Sequence, residues 1–168
     1  MKRIDLNCDM GELADLAASG VEDALLGCVS SVNVACGAHA GDERTMARTI
    51  RAAVERGVVV GAHPGYPDRV NFGRVKVEMS AGELAHTVHE QLLALARVAS
   101  SMGAVVRHVK PHGALYNEAA RNREIARAVA EGVARWSREV TMVGLAGSVM
   151  LDEFREAGFR VAEEAFAD

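Results

Sequence analysis

The chain has 168 residues, 19 basic against 23 acidic side chains for a formal net charge of −4, and 49% hydrophobic residues. That balance excludes a disordered chain, and a small negative charge gives no global attraction to nucleic acid or an anionic membrane. The apolar runs are only a few residues long, such as Val58-Val59-Val60, and the first residues lack the apolar stretch of a signal peptide. Cys8, Cys28 and Cys36 form an odd set without a C-x-x-C, which argues against a disulfide framework or a zinc knuckle. The expectation is one domain over residues 1–168, reduced and cytoplasmic, with no nucleic-acid or membrane partner.

In chain order, a strand is expected at Ile4-Asp5-Leu6, followed by Asn7, Asp9 and Glu12. A second, Ser31–Val34, leads into Cys36, Gly37, His39 and Asp42. Asp42 can cap a helix carrying Met46, Ile50 and Ala53 or Val54, with Gly57 as its closing residue. Val58–Val60 is the third strand, with His63, Tyr66 and Asp68 after it. Ser80 and Glu83 make a capping box for a helix through Leu84, Val88, Leu92, Leu95 and Ala99, closed by Gly103. Ala104–Val106 is the fourth strand, and the segment beyond it carries His108, Lys110, His112, Tyr116 and Asn117. Asn122 caps a helix with Ile125, Val129 and Val133, followed by a strand at Val140–Val143. Ser148 opens a helix through Leu151 and Phe154, Gly158 closes it, and Phe159–Ala162 is the last strand. Strands alternating with helices in this way predict a parallel sheet covered on at least one face, in the α/β class.

Position carries the functional signal. In parallel α/β sheets all strand C-termini lie on one face, so residues as far apart as Asp9 and His112 converge there. Four strand ends in succession carry Asp, His, His and Lys-x-His. Glycines in Cys36-Gly37-Ala38-His39-Ala40-Gly41 and Gly61-Ala62-His63-Pro64-Gly65 let backbone approach a ligand. Pro64 and Pro111 stiffen the backbone beside His63 and His112. Asp9 suits a general base or metal ligand, and Lys110, one of three lysines, suits an oxyanion, phosphate or carboxylate. Three histidines with Asp9 also match the donor set of a divalent metal, although no metalloprotease or zinc-finger signature is present. Cys8 and Cys36 read as small packing residues, and His86 and His89 as helix-surface residues. Neither G-x-x-x-x-G-K-[ST], G-x-G-x-x-G nor G-x-S-x-G occurs.

Five segments are recognisable together: Asp5-Leu6-Asn7-Cys8-Asp9-Met10-Gly11-Glu12, Asn33-Val34-Ala35-Cys36-Gly37-Ala38-His39-Ala40-Gly41-Asp42, Gly61-Ala62-His63-Pro64-Gly65-Tyr66-Pro67-Asp68, Phe72-Gly73-Arg74, and His108-Val109-Lys110-Pro111-His112-Gly113-Ala114-Leu115-Tyr116-Asn117. In this order, and on to the closing Phe166-Ala167-Asp168, the chain resembles the LamB/YcsF family, whose members are also called the A subunit of 5-oxoprolinase. The resemblance implies an irregular, TIM-like β/α barrel related to glycoside hydrolases and deacetylases. It implies a hydrolase acting on a cyclic amide: ATP-dependent opening of 5-oxoproline to glutamate with partner subunits B and C, ATP being a co-substrate. In that reading Asp9 and His63 stand on the base or ligand side, and Lys110 and His112 stabilise charge or donate protons. Asn7, Glu12, Asn33, His39, Arg74, Tyr116 and Asn117 are the expected substrate-binding residues, with a divalent metal open. Family members continue past the closing motif, so the barrel is expected to be incomplete at its C-terminus and the chain to associate, as a homo-oligomer or otherwise, or to be inactive alone. Two alternatives stand beside this reading: a metal-dependent amide or carbohydrate deacetylase using Asp9, His39 and His63, and a non-catalytic scaffold subunit.

Overall fold

The computed structural model describes residues 4–13 and 20–166. Six strands, β1 (Asn7–Met10), β2 (Ser31–Ala35), β3 (Val59–His63), β4 (His108–Val109), β5 (Thr141–Leu145) and β6 (Arg160–Glu164), make one sheet. All pairings are parallel, and the spatial order equals the chain order. Because a parallel crossover is right-handed, stepping always in one direction lays every connection on one face of the sheet. The opposite face is then free to curl on itself as part of a β/α barrel. Side chains show how far it curls: Asn7 Nδ2 on β1 donates to Glu164 Oε1 on β6 at 2.9 Å.

The described helices are α1 (Val21–Leu26), α2 (Glu43–Glu55), α3 (Ala81–Ser101), α4 (Gly113–Ala119), α5 (Arg123–Trp136) and α6 (Val149–Glu156). The starts of α2, α3 and α5 follow the expected caps. Asp42 and Thr45, and Ser80 and Glu83, form reciprocal capping boxes, and the Asn122 side-chain oxygen accepts from the Glu124 and Ile125 amides. Ser148 precedes α6 as expected but caps nothing; its hydroxyl donates to the Leu145 carbonyl instead.

Val32, Val34, Val60, Ala62, Val109 and Met142 alternate along the strands into the apolar layer beneath the helices. Between them, Asn7, Asp9, Asn33, Gly61, His63 and His108 turn the other way, into the curl. This corrects two expectations. The first strand is Asn7–Met10 rather than Ile4–Leu6, and the fourth is His108–Val109 rather than Ala104–Val106. In both places the polar residues assigned to a loop are inward-facing strand residues, while Ile4, Leu6 and Val105 are exposed. Helices α1 and α4 have no counterpart among the expected elements: α1 has only six residues, and α4 lies within the segment read as a site loop. Ala167 and Asp168 of the closing motif lie outside the described residues. Among the described residues no helix is long and apolar enough to cross a membrane.

Helices α3 and α5 pack directly along each other at Gly132. A Cβ there would stand 2.5 Å from the Ala85 carbonyl oxygen and 2.9 Å from Val88 Cβ. An exposed Gly→Ala change in a helix stabilises by up to about 1 kcal/mol. Gly132→Ala is expected to do the reverse and destabilise by roughly 1–3 kcal/mol, because backbone stands in the way. The shift of the urea midpoint, with unchanged m-value, measures this.

Candidate active site

The strand ends converge as the parallel sheet requires. His63 is the last residue of β3, Lys110 and His112 follow β4, Glu12 follows β1, and His39 follows β2. Four of the chain's six histidines (His39, His63, His108, His112) are buried here.

Two histidines have their tautomers set by main chain. A carbonyl oxygen can only accept, so the 2.8 Å contact of His63 Nδ1 with the Lys110 carbonyl puts the hydrogen on Nδ1. By the same argument His112 Nε2 donates to the Phe72 carbonyl at 2.8 Å. Phe72 reaches that position through a left-handed backbone, φ 57°, followed by Gly73 at φ 63°. The remaining ring nitrogens face each other: His112 Nδ1 lies 3.0 Å from His63 Nε2. Asp9 Oδ2 is 3.2 Å from His63 Nε2, and Glu12 Oε1 is 3.2 Å from His112 Nδ1. His39 stacks flat on His112, ring centroids 3.8 Å apart, and its Nε2 lies 3.3 Å from Glu12 Oε1. Two overlapping sets, Asp9–His63–His112 and Glu12–His39–His112, each bring their donor atoms within 4.8 Å of one another.

Space for these rings comes from glycine. A Cβ on Gly61 would fall inside the His108 ring, and one on Gly65 would stand 2.8 Å from His39 Nδ1. Gln91, from α3, holds the Gly65 turn by both main-chain groups, accepting from its N–H at 3.0 Å and donating to its carbonyl at 2.9 Å.

Beneath the histidines runs a second polar layer. His108 Nε2 contacts Asn33 Oδ1 at 2.8 Å, and Asn33 Nδ2 donates to Asn7 Oδ1 and Asp9 Oδ1. Lys110 Nζ is 3.2 Å from Asn7 Oδ1, 3.3 Å from Asp9 Oδ1 and 2.8 Å from Glu164 Oε1. An ammonium has three hydrogens, and three acceptors take them. Lys110 is therefore committed to holding Asp9 and Glu164, which leaves it without a hydrogen for an oxyanion while those contacts last. Glu164, absent from the residues singled out in the sequence, also accepts from the Tyr116 hydroxyl at 3.0 Å. Glu22 is a second residue the sequence does not mark: it accepts from the Gly11 amide at 3.0 Å and pairs with Arg48, fixing the turn from which Glu12 departs. Only an inward register on β6 would have marked Glu164, and no local motif marks either glutamate.

Charge states follow from this packing. Burial raises the Asp9 carboxyl, but His63, Lys110 and Asn33 outweigh it and hold Asp9 well below the usual carboxylate range. Burial, with His63 and His39 beside it, lowers His112 to about 4. His39 is also lowered by burial, against the pull of Glu12. Burial lowers His108 to about 4. The Tyr116 hydroxyl is raised by burial and by Glu164.

A cavity of about 370 Å³ opens onto Asp9, His63, Lys110 and His112, with Arg74, Tyr116, Asn117 and Phe166 around its mouth. The Arg74 guanidinium lies 5.5 Å above the Phe72 ring and makes no ion pair among the described residues. Every expected site residue thus reaches the cavity or the network beneath it. Other residues noted in the sequence do not: Tyr66 lines a separate cavity with Ser80, Leu84 and Asn122, and Asp68 caps the Asn71 turn. Cys36 is buried, its thiol pushed up to about 12 by burial, and burial also raises Cys8; neither is an activated nucleophile.

A curled, singly wound parallel sheet with carboxylates and histidines at its strand C-termini has the architecture of a β/α barrel, the class in which sites form at that face. The LamB/YcsF family model matches residues 4–168, and the chain belongs to that family. It is 51% identical, over its whole length, to the 5-oxoprolinase A subunit of Chloroflexus aggregans, covering 67% of that protein. It is 47% identical to the 5-oxoprolinase A subunit of Bordetella pertussis, with 98% of this chain and 66% of that one aligned. The crystal structure of the lactam utilization protein from Thermus thermophilus superposes with a TM-score of 0.93 at 43% identity, covering 98% of this chain and 67% of the other. The chain spans about two thirds of the length of these relatives.

Two measurements probe the buried layer. His108 is lowered from the ordinary 6.5 to about 4, so above pH 6.5 both folded and unfolded chains are neutral there. Between 6.5 and 4 only the unfolded chain takes the proton, and stability is expected to fall by on the order of 3 kcal/mol before levelling off. Denaturation of His108→Gln across this window should show a flatter loss than the native sequence. Lys110→Met, which strands Glu164 and Asp9 together, should cost about 3–5 kcal/mol in the same assay at neutral pH.

Proposed function

We propose that the chain supplies the lactam-opening site of a 5-oxoprolinase, acting with partner subunits and ATP on 5-oxoproline. The observation that carries this reading is the convergence of Asp9, His63 and His112 on one small cavity, lined also by Arg74, which makes no ion pair among the described residues. The names of the relatives support the choice of substrate.

Opening the five-membered ring requires water to add to the lactam carbonyl, the C–N bond to break, and the nitrogen to gain a proton. Asp9 and His63 Nε2 form the basic side that takes the proton from water. His112, whose Nδ1 lies 3.0 Å from His63 Nε2, takes over that proton and passes it to the departing nitrogen. Arg74 binds the substrate carboxylate as a bidentate donor, its face steadied by Phe72. Lys110 acts as a positioning residue that keeps Asp9 ionised, a change from the charge-stabilising role expected of it. Coupling to ATP offsets the ready re-closure of glutamate to the lactam. ATP is the co-substrate of the assembly, in a cytoplasmic setting.

The acceptor-rich set Asp9, His63 and His112 also favours, as a second reading, a metal-dependent amide or carbohydrate deacetylase. A 5-oxoproline assay with subunits B and C and ATP separates the readings. Glutamate is expected only from the complete mixture, and His112→Ala should lower its rate roughly 10²–10⁴-fold while the complex still forms. Undiminished glutamate after joint replacement of Asp9, His63 and His112 would leave this chain as a scaffold. Acetyl release without ATP would favour the deacetylase.

A further inference from the structure

The centre of the cluster contains only acceptors. His63 has given its Nδ1 hydrogen to the Lys110 carbonyl, and His112 its Nε2 hydrogen to that of Phe72. What remains are the lone pairs of His63 Nε2 and His112 Nδ1, 3.0 Å apart, with Asp9 Oδ2 and Glu12 Oε1 each 3.2 Å from one of them. The second Asp9 oxygen is already held by Asn33 and Lys110.

One added proton does not resolve these contacts. Placed on His63 Nε2, it serves Asp9 or His112 but leaves His112 Nδ1 facing Glu12 with no hydrogen between them. Placing a proton on each ring sets two imidazolium ions face to face at 3.0 Å. A single dication meets the lone pairs of Asp9, His63 and His112 at once, donor atoms that all lie within 4.8 Å of one another. The spacing fits as well: donors about 2.0–2.2 Å from a tetrahedral ion stand about 3.3–3.6 Å from one another. His63 Nε2 stands 3.0 Å from His112 Nδ1 and 3.2 Å from Asp9 Oδ2. Glu12 Oε1, 4.0 Å from His63 Nε2, belongs instead to a second set with His39 and His112.

We infer that His63 Nε2, His112 Nδ1 and Asp9 bind one divalent transition-metal cation of the zinc class, leaving a fourth position open. Two imidazoles with a carboxylate select such an ion over calcium or magnesium, which favour oxygen alone. The surroundings act as an outer shell. Main-chain carbonyls orient both histidines, Asn33 and Lys110 hold Asp9, and Glu12, held by His39, stands beside His112. When bound, the ion would polarise a carbonyl oxygen or acidify water, the electrophilic element missing once Lys110 is committed elsewhere. The inference rests on donor geometry and stands whether or not a lactam is the substrate; with the ion bound, His63 Nε2 and His112 Nδ1 are ligands, and the proton transfers assigned to them belong to the metal-free cluster.

The test is metal binding by the chelator-stripped chain, followed by calorimetry with Zn²⁺ and by the visible spectrum with Co²⁺. Expected are one equivalent of zinc and the intense spectrum of tetrahedral cobalt. His63→Ala and His112→Ala should each weaken zinc binding by more than the roughly 10–100-fold typical of outer-shell changes. His86→Ala, on the helix surface, should leave it intact. Asp9→Asn, a milder change, provides the same readout should an alanine variant fail to fold. Substoichiometric occupancy at saturating zinc, or binding that survives all three site substitutions, overturns the inference. Because no turnover is measured, neither outcome bears on the glutamate assay.

Discussion

The Lys110 ammonium is the interaction on which the interior depends. It reaches Asn7 and Asp9 on the first strand and Glu164 on the last, from a position just beyond the fourth. The outermost strands of this sheet, β1 and β6, are not paired through main-chain hydrogen bonds, so their approach is held by side chains. Two carboxylates and an amide around one cation do this, at the cost of burying charge that only a complete set of partners makes tolerable. The same contacts point Asp9 toward the histidines and keep it ionised, which joins the closure of the fold to the state of the site.

Everything above that layer follows from a sheet with two unlike faces. The helices take the apolar face, where Val32, Val34, Val60 and Val109 are fully or nearly fully buried. The concave face is left to polar groups, and such a face is stable only when each buried group finds a partner. The chain from His108 through Asn33 to Asp9 and Asn7, and from Lys110 through Glu164 to Tyr116, meets that demand. Small residues set the depth. Gly61 yields its side-chain volume to the His108 ring, and Gly65 and Gly73 yield theirs to the stacked His39 and His112.

The α/β class, the helix caps and the convergence of distant strand ends were legible because each has a local signature. Asp42, Ser80 with Glu83, and Asn122 announce helices by side chains that satisfy unpaired amides, and these starts occur where expected. The first and fourth strands were misplaced because Asn7, Asp9 and His108 are polar, and polarity reads as loop unless both faces of the sheet are considered. Ser31-Val32-Asn33-Val34 shows the alternation that reveals a polar interior, and the same alternation in Asn7-Cys8-Asp9-Met10 places the first strand correctly. Glu164 and the engagement of Lys110 were not legible at all. They depend on which strand lies opposite which across the curl, a property of the tertiary arrangement with no trace in local spacing.

The two central histidines are held by carbonyl groups of the main chain, one of them on a residue in a left-handed conformation. Genetic variation acts on side chains, and the acceptors in that hold are main-chain atoms, although the Phe72 ring also packs edge-on against His112 and His39. Exchanging Phe72 leaves the acceptor in place as long as the backbone keeps its course. The direction of the histidine lone pairs is thus an inheritance of chain path rather than of residue identity, insulated from most single substitutions and vulnerable chiefly to insertions or deletions that reroute the loops after β3 and β4.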